Sequence, residues 1–137
     1  MPLDFSTSMS VAASGMRAQS ERMKIIAENI ANAKSTAAVP GGDPYRRQIP
    51  VVKSTFDRQL GVSLVEAAKP IADESAFRSE YDPGNPYADK TGYVKLPNVN
   101  SLVEIMDMRE AQRSYEADIT VMDATKSMQS RTVDLLK

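Results

Sequence analysis

The feature that most constrains this chain is a series of apolar residues, spaced alternately four and three positions apart, near its N-terminus. The series runs through Phe5, Met9, Ala12, Met16, Gln19, Met23, Ile26, Ile30 and Ala33. Only Gln19 is polar, and the pattern extends over about four heptads, the length at which heptad spacing becomes informative. Because the stripe is narrow and the intervening positions are mostly polar, we expect a long helix that packs against one or two partner helices rather than on a globular core.

Small side chains cluster in the middle of this predicted helix, at residues 12–15, where Gly15 follows two alanines and a serine. A glycine inside a helix costs roughly 1 kcal/mol relative to alanine. We interpret the cluster as a site where a neighbouring helix approaches closely; a tolerated surface glycine is the alternative. The possible N-caps are Asp4, Ser6 and Ser8, and the helix is expected to end near Ala33 or Lys34.

A second long helix is predicted at the C-terminus. Ser101 and Glu104 form the S-x-x-E pattern of a capping box, and no proline or glycine follows them. A helix of about 35 residues would be about 50 Å long. Its apolar positions include Ile105, Met108, Tyr115, Ile119, Met122, Val133 and Leu136, and polar residues interrupt them. Such a helix is too sparsely apolar for a compact core, so we expect it to need helices from elsewhere.

The sequence between the helices predicts strands and turns. Residues 39–45, VPGGDPY, are a concentrated turn signal. Strands are predicted at 45–53, 62–67, 77–81 and 92–96, the first as an edge strand or bent ribbon because Pro50 lacks an N–H donor. The predicted fold is α+β, with an N-terminal helix in 1–36, a β-rich and turn-rich insert in 37–100 and a C-terminal helix in 101–137. The two helices are expected to form a coiled-coil-like pair.

Composition argues against several functional classes. The 17 Lys and Arg residues balance 18 Asp and Glu residues, for a net charge of −1, whereas nucleic-acid binders usually carry a basic excess. The chain contains neither cysteine nor histidine, so it lacks the usual thiolate nucleophile, metal ligands and general base. We therefore predict no catalytic residues, metal, cofactor, nucleic acid or small-molecule substrate.

The first ten residues, MPLDFSTSMS, do not have the pattern of a cleavable secretory signal. They lack a basic n-region followed by an apolar run and a small-residue cleavage site. No segment of the chain has the length of apolar sequence needed to span a bilayer. We expect either a cytosolic protein or one exported by a route that reads no cleavable signal.

Three stretches of the sequence resemble the FlgC family of flagellar rod proteins. Residues 13–36, ASGMRAQSERMKIIAENIANAKST, resemble the N-terminal signature shared by rod and hook proteins, including its NxAN motif. Residues 40–48 and 81–100 are similar to segments typical of the FlgC branch, and residues 103–128 resemble the C-terminal block. The sequence departs from the family at Met16, Asn85, Tyr87 and Asp118, where the family more often has leucine, histidine, aspartate and asparagine.

This resemblance implies a structural component of the bacterial flagellar basal body that builds the proximal rod, the drive shaft, by packing its terminal helices. It implies as partners other copies of the chain and rod proteins of the FlgB, FlgF, FlgG and FliE types. Export by the flagellar type III apparatus would explain the missing signal peptide. The expected location is the rod within the periplasmic space.

The predicted site residues are subunit contacts rather than catalytic groups. Assembly contacts along the two helices are expected from Met9, Met16, Met23, Ile26, Asn29, Ile30, Asn32, Ile105, Met108, Tyr115, Ile119, Met122 and Leu136. Contacts specific to this rod position are expected from Tyr45, Arg46, Arg47, Tyr81 and Tyr93, since tyrosine and arginine are enriched at interface hot spots.

Three other interpretations compete with the rod protein. The helices alone would also permit an intracellular coiled-coil adaptor with no flagellar role. Paired carboxylates, Asp82 with Asp89 or Glu104 with Asp107, could serve an enzyme, but without an apolar pocket they are better explained as turn acids and helix-face charges. Arg46 and Arg47 could bind phosphate, although an isolated basic pair is more often a solvated strand face or a salt-bridge donor to a neighbouring subunit.

Overall fold

The structure, a computed structural model, describes residues 5–135 as two long helices with four strands between them in sequence. The elements are α1 (Phe5–Ala31), β1 (Gln48–Asp57), β2 (Val62–Ala72), β3 (Arg78–Tyr81), β4 (Tyr93–Leu96) and α2 (Ser101–Asp134). The α+β class and the order of elements predicted from the sequence are confirmed. The strand predicted at 62–67 extends further, to Ala72.

Helix α1 begins at Phe5, so Ser6 and Ser8 lie inside it and are not its N-caps. The third candidate, Asp4, lies outside the described residues. The helix ends at Ala31, slightly earlier than predicted. There, the Glu28 carbonyl accepts from both the backbone N–H of Asn32 at 3.1 Å and its side-chain Nδ2 at 2.8 Å.

The predicted capping box at the start of α2 is wrong. Asn100 is the cap: its Oδ1 accepts from the Leu102 N–H at 3.1 Å, and its carbonyl accepts from the Glu104 N–H at 3.0 Å. Ser101 is already the first helical residue. Since Asn100, one residue before Ser101, supplies the capping oxygen, the Glu104 side chain takes no part in a cap. It is 0% exposed and bonds to other segments.

The strands form two separate two-stranded sheets, β1 with β2 and β3 with β4. Residues 58–61 connect β1 to β2, which is too short for a parallel crossover, so this pair is an antiparallel hairpin. Both of its strands are edge strands, which accommodates Pro50 as predicted. In the second sheet β3 pairs antiparallel with β4, with Arg78 opposite Leu96 and Tyr81 opposite Tyr93.

The chain divides into two compact units, and each unit combines parts of both helices with parts of the insert. Of the described residues, unit 1 contains 5–23, 51–69 and 109–135, and unit 2 contains 24–50 and 70–108. The division into three consecutive segments expected from the sequence therefore stays a prediction.

Within unit 1, α1 and α2 run antiparallel. Gly15 of α1 lies against Asp118 of α2, and Arg22 further along α1 pairs with Glu110 at 3.3 Å, earlier on α2. A Cβ atom built on Gly15 would lie 2.5 Å from Asp118 Oδ2. The close approach of another helix at the small-residue cluster, predicted from the sequence, is confirmed.

Candidate assembly surfaces

Asn29 is the centre of a buried polar cluster in unit 2. Its side chain is fully buried and uses all four hydrogen-bonding positions of its amide. Nδ2 donates to the Gln48 carbonyl at 2.8 Å and to Glu104 Oε2 at 3.0 Å. Oδ1 accepts from the Tyr45 hydroxyl at 2.8 Å and from the Gln48 N–H at 2.9 Å. One side chain thus joins α1, the segment that enters β1, and the start of α2.

Arg47 extends the buried cluster with a set of charged contacts. Its Nε donates to Glu104 Oε1, and its Nη1 lies 3.4 Å from Asp73 Oδ2. A third carboxylate, that of Asp107, lies 3.8 Å from Nη2. The Arg47 backbone N–H donates to Asn98 Oδ1 at 2.8 Å. Because Glu104 is fully buried, removing the guanidinium would leave a carboxyl group without its principal partner.

The electrostatics of the buried cluster keep Arg47 charged. Burial opposes its positive charge, but hydrogen bonds and negative charge from Glu104 and Asp73 outweigh this effect and raise the pKa of Arg47 above its ordinary value. Burial also raises the pKa of the Tyr45 hydroxyl, with further contributions from the negative charges of Glu28 and Glu104. The Tyr45 hydroxyl therefore remains a neutral donor to Asn29 at physiological pH.

Arg46 is also held by its own chain. Its Nη1 donates to the carbonyls of Asp73 at 2.8 Å and Ser75 at 3.2 Å, and its guanidinium lies 4.2 Å from the centre of the Phe77 ring. Arg46 and Arg47 are thus neither a solvated strand face nor a free phosphate-binding pair. A role for either residue in contacts with neighbouring subunits remains a prediction.

An exposed aromatic turn occupies residues 81–93 of unit 2, and we call it the tyrosine turn. Tyr81 and Tyr93 are 63% and 47% exposed and contact each other edge to face, with ring centroids 5.2 Å apart. Gly92 has φ +85°, and a Cβ atom on it would lie 2.9 Å from the Tyr81 ring. Glycine is therefore required at 92 both for the backbone conformation and for the position of Tyr81.

Asp89 holds the tyrosine turn in one shape. Its Oδ1 accepts from the Thr91 N–H at 2.8 Å, the Thr91 hydroxyl at 2.6 Å and the Tyr93 N–H at 3.0 Å. The Thr91 hydroxyl and the Tyr93 N–H are the largest contributions that lower the pKa of Asp89. The carboxylate suggested as half of a catalytic pair is thus a turn acid, and the tyrosines are presented by a preorganised loop.

Helix α2 presents a separate apolar stripe in unit 1, which we call the distal stripe. Val121 and Met128 lie on α2 and Leu135 directly follows its last residue; the three are seven residues apart and are 50%, 51% and 87% exposed. Residues seven apart lie on nearly the same helix face. The stripe lies on the same helix as the predicted contacts Ile119, which is exposed, and Met122, which is half-buried. This stripe is suited to contact with another helix.

The structure places the remaining predicted helix contacts in different environments. Ile26 is buried and Ile105 is exposed, whereas the others are half-buried: Met9, Met16, Met23, Ile30, Asn32, Met108 and Tyr115. Leu136 lies outside the described residues. The sequence interpretation missed the buried cluster around Glu104, because the same glutamate fitted a capping box. The signal that could have revealed the cluster is Asn29, a polar residue directly beside the predicted apolar stripe.

Neither a membrane-spanning helix nor a metal-binding group is found among residues 5–135. No helix there is both long and apolar enough to cross a bilayer. No group of three or more histidine, cysteine, aspartate or glutamate residues in that part of the chain could hold a metal ion.

Comparisons with known proteins find similarity to flagellar basal-body rod proteins. The family described as "Flagella basal body rod protein" matches residues 9–37, and "Flagellar basal body rod FlgEFG protein C-terminal" matches residues 90–135. A FlgC basal-body rod protein of Agrobacterium fabrum is 49% identical over 132 residues, which cover 96% of this chain and 95% of the relative. The FlgC protein of Salmonella typhimurium is 38% identical over 125 residues, covering 91% and 92%. That of Aquifex aeolicus is 36% identical over 135 residues, covering 98% and 99%.

Proposed function

Because this chain belongs to the FlgC family of flagellar basal-body rod proteins, and so is a structural component of the flagellar basal body, we propose that its copies enter the proximal rod through two surfaces. The first is the distal stripe of α2, which supplies helix packing with neighbouring subunits. The second is the tyrosine turn, which supplies contacts specific to this position in the rod.

The observation that carries this proposal is the exposure of the distal stripe. Apolar side chains exposed at a spacing of seven residues along a long helix are the pattern of a helix–helix contact. The residues buried in unit 1 are all small: Ala12, Ser14, Ala18, Ala111 and Thr125. A unit with so little apolar interior gains stability when neighbouring helices cover its exposed side chains.

We further propose the partners, the export route and the location of this chain. The partners are other copies of this chain and rod proteins of the FlgB, FlgF, FlgG and FliE types. The chain reaches the periplasmic rod through the flagellar type III export apparatus and acts there without catalysis. When each subunit contacts its neighbours through two different surfaces, the contacts generate tubes rather than closed dimers.

The direct test introduces a charge into the distal stripe. A strain that lacks the native gene is complemented with Met128→Asp, and a matched strain carries Ser127→Asp, which places the same charge on the adjacent exposed residue. We expect Met128→Asp to be exported but absent from isolated basal bodies, with motility lost, because the aspartate would be desolvated without a partner. Normal swimming of the Met128→Asp strain would contradict the proposal.

The role of the tyrosine turn is tested by point substitution. Exchanging residues 40–100 for the insert of another rod protein would also remove Tyr45 and Arg47, the partners of Asn29 and Glu104. Tyr81→Ala and Tyr93→Ala alter only exposed rings. We expect these variants to fold and to be exported, but to be incorporated into the rod at a level several-fold lower, as the loss of interface anchors predicts.

A further inference from the structure

The ribbon formed by β3 and β4 has two chemically different ends. At its closed end, beyond the Tyr81–Tyr93 pair, lies the tyrosine turn. At its open end, beyond the Arg78–Leu96 pair, lies a groove of about 450 Å³. The lining residues of this groove include Lys34, Ala76, Arg78, Ser101 and Leu102.

The groove is basic. Its lining residues include Lys34 and Arg78, and they include no aspartate or glutamate. Within residues 5–135, neither of these two cations forms an ion pair. The first residues of α2 lie in the same wall, where the helix dipole adds partial positive charge. Leu102, 68% exposed, supplies an apolar contact surface at the rim.

The opposite end of the ribbon is acidic and aromatic. Residues 80–91 carry three carboxylates, Glu80, Asp82 and Asp89, against one lysine, Lys90. Asp89 is committed to holding the turn, whereas Asp82 has no ion pair among the described residues. The exposed tyrosine rings lie next to these acids in sequence. The two ends are therefore complementary in charge, and each also offers apolar surface.

We propose that the tyrosine turn of one copy of this chain docks into the Lys34–Arg78 groove of the next copy. The proposal rests on the proposed function and names one neighbour for its second surface. The contact joins different surfaces on the two copies, so it is heterologous and can repeat along a ring or helix of subunits. Tyrosines anchor the contact through buried ring area, and the charged rim sets its orientation.

The geometry of the ribbon makes this contact intermolecular. Arg78 and Tyr81 are three positions apart on β3, a distance of about 10 Å along an extended strand. The turn continues away from that end, and Gly92 and Asp89 hold its shape. The turn cannot fold back into the groove of its own chain without breaking the β3–β4 pairing.

Because the chain contains no cysteine, paired cysteines test the contact cleanly. Ala76 lines the groove, and a Cβ atom on Gly84 would meet only Asp82 Oδ1, at an ordinary 3.6 Å. Basal bodies from cells that produce Ala76→Cys/Gly84→Cys are oxidised and run on a non-reducing gel. We expect dimers and larger multimers of this chain, and none from either single variant, because each bond needs one cysteine from each end.

Two results of the cross-linking experiment would overturn the contact. One is the absence of multimers although the double variant is present in the basal bodies. The other is efficient cross-linking of either single variant, which would indicate a symmetric contact instead. Normal swimming of the Met128→Asp strain would instead overturn the proposed function, and this separate result distinguishes the two proposals.

A charge exchange provides a second test that does not depend on disulfide geometry. Arg78→Glu and Asp82→Arg should each reduce swarm diameter roughly twofold through repulsion between copies, and Arg78→Glu/Asp82→Arg should restore most of it. Lys53→Glu, at an exposed position of β1, is the matched control and should leave swarming unchanged. A double variant that swarms no better than the two single variants would overturn the contact.

Discussion

The two compact units of this chain are built in opposite ways. Unit 2 has large buried residues, including Ile26, Val94 and Val99, around the buried cluster of Asn29 and Glu104. In unit 1 only alanine, serine and threonine residues are buried among those described, while large apolar side chains such as Phe56 and Met128 are exposed. Each unit contains part of both long helices, so the two parts of one helix are packed in different ways.

The difference indicates which part of the chain is self-supporting. In unit 2 the polar groups at the centre are paired within the chain, and paired buried groups fix a unique arrangement. In unit 1 Gln19 Oε1 is buried without a hydrogen-bond donor among the described residues, which carries a free-energy cost. We infer that unit 2 is ordered in the free subunit, whereas unit 1 acquires its stability from neighbouring subunits.

The largest effect is expected from Glu104→Ala in unit 2. This change leaves Arg47 and Asn29 without their partner, and breaking a buried charged pair costs about 3–5 kcal/mol. The measurement is the free energy of unfolding of the full-length chain in urea, followed by circular dichroism. Glu104→Gln, which keeps the shape and an acceptor oxygen, is the control and should cost less. Equal stability of the alanine variant and the wild type would contradict the role assigned to the buried cluster.

A smaller effect is expected at the helix contact of unit 1. Gly15→Ala places a methyl group where Asp118 Oδ2 would lie 2.5 Å away, so the Asp118 side chain must shift, and we expect a cost of about 1 kcal/mol, the low end for overpacking. In an Asp118→Ala background the same change should stabilise the chain by up to about 1 kcal/mol, because alanine has the higher helix propensity. A double-mutant cycle in basal-body assembly or in urea measures this coupling. No coupling between positions 15 and 118 would show that the helices do not meet there.

The two units should also respond to pH in opposite directions. Hydrogen bonds from Ser75, with a further contribution from Arg47, lower the pKa of Asp73 in unit 2. Its stabilising contribution is therefore present above the unfolded-state pKa of about 3.9 and is lost as the pH falls through the lower folded pKa. Burial raises the pKa of Asp118 in unit 1, so its contribution is present below about pH 3.9 and is lost as the pH rises through the folded value.

Matched amide substitutions separate these two contributions. At neutral pH, Asp73→Asn should lower the melting temperature and Asp118→Asn should raise it, and both differences from wild type should shrink toward pH 3. Shifts of the same sign at neutral pH would contradict the assigned pKa directions.

The smallest effect is expected from the surface ion pair between Arg22 and Glu110. The Glu110 side chain is 67% exposed, and exposed pairs usually contribute less than about 1 kcal/mol. Glu110→Ala should therefore change the urea midpoint only slightly, in contrast to Glu104→Ala two helical turns earlier. A large loss at Glu110 would show that unit 1 depends on its charged surface contacts more than its packing indicates.

Periodicity and turn chemistry were sufficient to predict the elements, because both long helices and the turn-rich insert carry strong local signals. The same local logic misassigned Glu104, whose capping-box spacing cannot reveal that Asn100 caps the helix and that Arg47 lies close in space. The sequence also predicted the close helix approach at Gly15, since small residues permit it. The sequence could not predict that each helix is shared between two compact units, because the units are defined by contacts between residues far apart in sequence.

Hydrogen exchange along α1 of the purified full-length subunit at low concentration tests most directly whether unit 2 is self-supporting and unit 1 is not. The helix is continuous from Phe5 to Ala31, yet its two halves belong to different units. We expect amides in residues 24–31 and 104–108 to be strongly protected, and amides in residues 5–23 and 109–134 to exchange much faster. Uniform protection along α1, or stronger protection in its first half, would contradict this division.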